Sequence, residues 1–153
     1  MGLQFKGILI SLLILLPNII YLCFPARNVP HPSSEPSMLF TVIEQIGRIG
    51  CFVLPILFGE KIARQKFSFL VILMGICLLL YYLCWIRYFI TGRNFSCMFK
   101  PLWMILIPMA VFPILYFLLL GIWTQSALFL AAAVLFAIGH SMVSWHTYLQ
   151  TNC

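Results

Sequence analysis

The segment IEQIGRIG, residues 43–50, places Glu44 and Arg48 in the middle of an otherwise apolar stretch of the chain. In a helix, residues four apart lie on one face, so this Glu and Arg can form an ion pair, with the Glu in the more favourable N-terminal position. A lone Arg near the centre of a bilayer costs roughly 3 kcal/mol on insertion scales. The pair lowers that cost, but two leucines would insert more easily, so the sequence predicts a structural or functional use for the pair.

Other polar side chains interrupt apolar segments on the same predicted side of the membrane. Successive spans run in opposite directions, which places Asn18, Glu44 and His140 in the half nearest to the connection 25–37. The opposite half is almost wholly Leu, Ile, Val, Phe and Ala. This one-sided distribution predicts a water-accessible pocket with residues 25–32 as its rim. The predicted ligand-binding residues are Asn18, Glu44, Gln45, Arg48, His140 and Ser144.

Three functions are compatible with these residues. In the first, the protein binds or transports a small anionic or zwitterionic amphiphile, with Arg48 on the anionic group and the apolar half around the tail. In the second, an intramembrane enzyme modifies a lipid or isoprenoid, with His140 as general base, Arg48 as electrophile and Glu44 orienting them. In the third, the Glu–Arg pair only sets helix packing or partner choice in an assembly, accessory or immunity subunit. The sequence favours the first and leaves open whether the protein is an enzyme.

Composition excludes several other sites. The chain has no Asp and only three Glu, which excludes an intramembrane protease that uses two Asp. The six cysteines form no CxxC pair, and His140 and His146, six positions apart, do not share a helix face. We therefore expect no metal and no cofactor. The net charge of +6 predicts contact with anionic lipid headgroups, and we expect no nucleic-acid partner.

The overall composition predicts an integral membrane protein. Hydrophobic residues make up 63% of the 153 residues and charged residues only 8%, with a mean hydropathy of +1.08. Soluble domains carry about 25% charged residues, so this chain cannot cover a surface that faces water. We expect a single all-α domain over residues 1–153, a multi-pass helical bundle.

Five stretches are long enough to cross the hydrocarbon core, which takes about 20 helical residues. Their short connections are 25–37, 58–66, 91–101 and 122–125, and we expect the first stretch to be a retained span, not a cleaved signal peptide. The predicted spans are 7–24, 38–57, 67–90, 102–121 and 126–149.

Charged and aromatic residues predict the orientation. The basic cluster Lys61, Arg64 and Lys66 favours the cytoplasm for its side, which gives a cytoplasmic N-terminus, and we expect the plasma membrane of a bacterium. The segment YYLCWIRYF, 81–89, resembles an interfacial aromatic belt, with Arg87 reaching the headgroups as an anchor.

Overall fold

The structure is a computed structural model that describes residues 5–30, 34–102 and 104–151. No β-strand occurs within these ranges, which contain only isolated bridges. The expectation of an all-α bundle is therefore confirmed. The helices are α1 (Phe5–Cys23), α2 (Met38–Leu57), α3 (Gly59–Ala63), α4 (Phe69–Ile90), a 3₁₀ helix (Phe95–Phe99), α5 (Pro108–Trp123) and α6 (Ala127–Thr151).

Four helices, α1, α2, α4 and α6, are long and apolar enough to cross a membrane. The remaining long apolar helix, α5, has 16 residues, which at 1.5 Å per residue gives about 24 Å, less than the roughly 30 Å of a hydrocarbon core. The fourth predicted span, 102–121, is thus correct in its centre but wrong at its start. The short helix α3 also forms inside the predicted connection 58–66.

Proline chemistry explains the late start of α5. A residue that precedes proline is disfavoured in the helical conformation, and Ile107 has φ −128° and ψ 75°. Pro108 then occupies the first helical position, where a missing N–H costs nothing. The preceding residues form a turn in which Leu102 and Ile105 exchange two backbone hydrogen bonds of 3.0 Å.

The most extensive helix packing is between α2 and α6, where glycines face backbone. A Cβ on Gly47 would lie 2.6 Å from the Cα of Phe136, and a Cβ on Gly139 would lie 2.7 Å from the Cβ of Glu44. No side chain larger than hydrogen fits at these distances, so the two glycines determine how near the helices approach. Helix α5 packs between α4 and α6 and contributes the buried Phe117 to the core.

Helix α1 is joined to α4 by a hydrogen bond that a proline makes available. Pro17 lies inside α1 and has no N–H, so the carbonyl of Leu13, four residues earlier, loses its helical donor. The Tyr82 hydroxyl donates to this carbonyl at 2.7 Å. The proline therefore creates an interhelical hydrogen bond in an environment where an unpaired carbonyl would be costly.

This arrangement predicts that Tyr82→Phe lowers the free energy of unfolding by about 1 kcal/mol. The loss should nearly vanish in a Pro17→Ala background, because the backbone N–H restored by that substitution would bond to the Leu13 carbonyl in place of the hydroxyl. Unfolding of the four variants by titration with a denaturing detergent measures the coupling. Equal losses of unfolding free energy in both backgrounds would show that the Tyr82 hydroxyl does not donate to the Leu13 carbonyl.

Arg87 has a different role from the predicted anchor. Its guanidinium donates to the backbone carbonyls of Lys100 at 2.7 Å, Pro101 at 3.3 Å and Cys97 at 3.4 Å. These carbonyls belong to the connection between α4 and α5, where no regular pattern of backbone hydrogen bonds among the described residues supplies them with donors. Arg87 therefore holds this connection against the end of α4, through its two terminal nitrogens.

The two ends of the bundle hold different connections between the helices. The described parts of the connection 24–37 (24–30 and 34–37), the described parts of the connection 91–107 and the C-terminal end of α6 lie at one end. Two backbone hydrogen bonds join the first two of these: Arg27 N–H to Arg93 O at 2.8 Å, and Phe95 N–H to Arg27 O at 3.1 Å. The other end holds α3 and the turn 124–126. The first end is also the end at which the polar side chains of the helices meet.

Candidate functional site

The centre of the site is the carboxylate of Glu44, which is buried between α2 and α6. Its Oε1 atom pairs with the Arg48 guanidinium on the same helix. The same oxygen pairs with Nδ1 of His140 on α6, at 2.8 Å. The close approach at Gly139 brings α6 near enough for this second contact. Arg48 and His140 thus converge on one oxygen atom.

The predicted pairing of Glu44 with Arg48 follows from local geometry, since the two residues are about one helical turn apart. The pairing with His140 depends on tertiary packing, because the two residues are 96 positions apart. The ring of His140 stacks on Phe136, with centroids 4.8 Å apart and an interplanar angle of 15°. The stacking and the carboxylate together fix the orientation of the imidazole.

Asn18 enters the same region from α1. Its side-chain amide donates to the carbonyl of Ile14 and to the hydroxyl of Tyr81, both at 3.0 Å. Both amide N–H groups are therefore occupied, and the amide oxygen keeps its capacity to accept a hydrogen bond.

These side chains surround a cavity of about 610 Å³. The polar lining residues come from α1, α2 and α6, and the rest of the lining is aromatic and aliphatic. Asn18 is exposed and 40% of the Arg48 side-chain surface is exposed, so the cavity opens to the outside of the bundle beside these two residues. The apolar and aromatic lining includes Ile14, Leu15, Tyr21, Phe52, Tyr81, Trp85, Phe95, Met98, Phe99, Ile107, Met109, Ala110, Pro113, Phe136 and Val143.

Most of the predicted site residues are brought together here. Five of the six line the cavity: Asn18, Glu44, Arg48, His140 and Ser144. The exception is Gln45, which is exposed and lies outside the cavity. It follows Glu44 directly, and one helical step rotates its side chain about 100° away from the shared face. Whether the five residues bind a ligand stays a prediction.

The described part of the predicted rim, residues 25–30, does not line the cavity. His31 lies outside the described residues. The 3₁₀ helix covers this end instead, through Phe95, Met98 and Phe99. It lies beside residue 27 because of the two backbone hydrogen bonds described above.

Sequence reasoning missed the aromatic wall. Tyr81, Trp85 and Tyr88 were expected to form an interfacial belt, but all three are buried inside the bundle. Trp85 packs edge-on against Tyr21 and Tyr81, with centroids 5.8 and 6.2 Å apart. The spacing of Tyr81, Trp85 and Tyr88, four and then three positions, was a usable signal, because these positions share one helix face.

The site combines donors, acceptors and apolar surface in one space. Arg48 supplies N–H donors, and Glu44 and His140 supply acceptors and a titratable group. Within the described parts of the chain, no group of three His, Cys, Asp or Glu side chains could hold a metal ion. The arrangement can bind an amphiphile, or orient a base next to a bound one.

Comparison of the chain with protein-family models, with curated proteins and with solved structures finds no match. What is established is an all-α bundle whose four long apolar helices can cross a membrane, with a polar cavity at one end.

Proposed function

We propose that this protein binds or transports a small anionic or zwitterionic amphiphile, with its headgroup on Arg48 and its tail along the apolar walls of the cavity. One observation carries the proposal. An arginine held by a buried carboxylate lines a cavity whose remaining walls are mostly apolar. That is the lining pattern of small-molecule sites, in which a few placed polar groups orient a largely apolar ligand.

Arg48 has the capacity to bind an anion. Among the described residues, its guanidinium makes a hydrogen bond only to Glu44, through one terminal nitrogen. The other N–H groups are available, and guanidinium donors bind carboxylate or phosphate in a bidentate manner. Glu44 keeps the guanidinium in place and offsets the cost of holding a charge at this depth.

The cavity also suits a tail. Its volume of about 610 Å³ lies within the usual range of roughly 300–1,000 Å³ for ligand pockets. Asn18 on α1 and Arg48 on α2 are partly or fully exposed lining residues, so the proposed entrance lies between these two helices. An amphiphile can enter there sideways from the bilayer without carrying its tail through water.

We further propose a bacterial plasma membrane with the N-terminus in the cytoplasm. Lys6, Lys61, Arg64 and Lys66 cluster at the end opposite to the cavity, and such clusters favour the cytoplasmic side. The cavity then lies in the outer half of the membrane.

A second candidate, an intramembrane enzyme acting on a lipid or isoprenoid, is favoured by the hydrogen bond between Glu44 and His140. A carboxylate on Nδ1 orients an imidazole as a general base with its other nitrogen free. Incubation with radiolabelled lipid extract tests this candidate, since a converted product that disappears in His140→Gln would support it, and unchanged lipid would exclude it.

The binding proposal predicts that Arg48→Gln weakens binding of an anionic phospholipid by about tenfold or more, because a charge-assisted hydrogen bond contributes roughly 1.5–3 kcal/mol. Native mass spectrometry of the purified protein with added phospholipid measures the affinity. The matched control is Arg64→Gln, which removes the same charge at the exposed opposite end. Equal losses in the two variants would mean that only net charge matters, and the cavity would not be the site.

A further inference from the structure

The contact between Glu44 and His140 determines the chemistry that the imidazole offers to the cavity. A carboxylate paired with arginine is ionised and can only accept hydrogen bonds. The 2.8 Å contact therefore requires that Nδ1 of His140 carries the proton. In the neutral imidazole, Nε2 is then a hydrogen-bond acceptor.

This acceptor is available to a ligand. His140 lines the cavity, and Nε2 has no hydrogen-bond partner in the described part of the chain. The ring cannot turn freely, because it stacks on Phe136 and is bound to Glu44. The cavity thus presents a fixed acceptor and not only a cationic donor.

The donor and the acceptor are also adjacent. Nη2 of Arg48 and Nδ1 of His140 bind the same oxygen of Glu44, so these two nitrogens cannot be further apart than the sum of two hydrogen bonds. The free Nε2 of His140 lies on the opposite side of the imidazole ring, one ring width beyond Nδ1. A single headgroup can therefore reach both side chains. The group that fits is one with an anionic oxygen for Arg48 and, within a few bonds, an O–H that donates to His140.

We infer that the ligand's headgroup is an anion with a neighbouring hydroxyl, of the glycerophosphate type. The inference rests on the proposed function and narrows its substrate class. Phosphate oxygens accept from Arg48, and a glycerol hydroxyl donates to Nε2 of His140. An anionic headgroup without a hydroxyl would cover Nε2 and leave it unpaired, which penalises binding.

Two phospholipids with the same acyl chains test the inference on the unmodified protein. Phosphatidylglycerol has a phosphodiester with two hydroxyls, and phosphatidylmethanol has the same charge with none. We expect phosphatidylglycerol to bind about tenfold more tightly by native mass spectrometry, the usual effect of one hydrogen bond that a bound ligand fails to make. Equal affinities would overturn the inference and leave amphiphile binding intact, whereas binding of neither lipid would overturn the proposed function itself.

A third probe, glycerol 3-phosphate in water, tests whether the ligand is a lipid or a water-soluble glycerophosphate. We expect it to bind at least about tenfold more weakly than phosphatidylglycerol, because it has no tail for the apolar walls. If it binds as tightly, the preference for a hydroxyl-bearing anion stands and the amphiphile in the proposed function is wrong.

A variant then tests whether the preference for phosphatidylglycerol over phosphatidylmethanol comes from His140. His140→Phe keeps an aromatic ring against Phe136 but removes the acceptor, so the two lipids should bind with equal affinity. His146→Phe is the matched control, since His146 lies on the same helix, outside the cavity, beside Ser34. A preference that survives in His140→Phe would overturn the assignment, and the comparison on the unmodified protein stands even if this variant does not fold.

Discussion

Replacing Glu44 with Leu should lower the free energy of unfolding by about 3 kcal/mol, because it leaves the positive charge of Arg48 without a counter-ion at membrane depth. It also leaves Nδ1 of His140 without an acceptor. Arg48→Leu should cost a similar amount, since it leaves a buried carboxylate with only an imidazole partner. Denaturing-detergent titration of the purified variants measures both losses.

The double variant Glu44→Leu/Arg48→Leu is the internal control. It leaves no uncompensated charge, so it should be more stable than either single variant, even with His140 unpaired. If the single variants are as stable as the double, both side chains must reach water or headgroups independently, and the pair would not be a bundle contact.

The second large effect should come from Gly139→Val. A Cβ at this position would overlap the backbone and Cβ of Glu44, and neither can move without separating α2 from α6. Overpacking of this kind costs about 3 kcal/mol. The separation would also pull His140 away from the carboxylate, so binding of phosphatidylglycerol should fall together with stability.

Gly75→Val provides the matched control for this variant. Gly75 lies in the first half of α4, and a Cβ there would meet no atom within 4 Å. The same substitution should therefore leave unfolding and lipid binding nearly unchanged. If Gly75→Val is as harmful as Gly139→Val, the loss reflects valine in a helix and not the approach of α2 to α6.

The sequence predicted the long helices closely, because runs of apolar residues and polar connections are both visible in it. Helix α2, predicted at 38–57, is observed at Met38–Leu57. The predicted start of the fourth span, residue 102, was wrong because hydropathy carries no information about backbone conformation. Residues 102–107 are mostly apolar and extend the hydrophobic run of the fourth span, yet Pro108 disfavours a helical Ile107.

The sequence predicted those parts of the site that depend on the face of a single helix or on the depth of a residue in the membrane. Glu44 and Arg48 share a face, and alternating spans placed His140 at the same level. Depth does not determine the direction of a side chain, which is why Gln45 was included although it lies outside the cavity. The aromatic wall could not be separated from a belt at the headgroups by composition, since both use Tyr and Trp near a helix end.

The two partners of Glu44 become available at different times during synthesis. Arg48 leaves the ribosome almost together with Glu44, but His140 follows 96 residues later, which takes roughly 5–20 s at common elongation rates. During that interval α2 must already reside in the translocation machinery or the bilayer, with α6 not yet made. The pair within one helical turn can neutralise the carboxylate for this whole period, so the nascent chain never has to expose a lone charge to lipid. His140 then joins a pair that is already formed, so the cavity is assembled only after the ion pair.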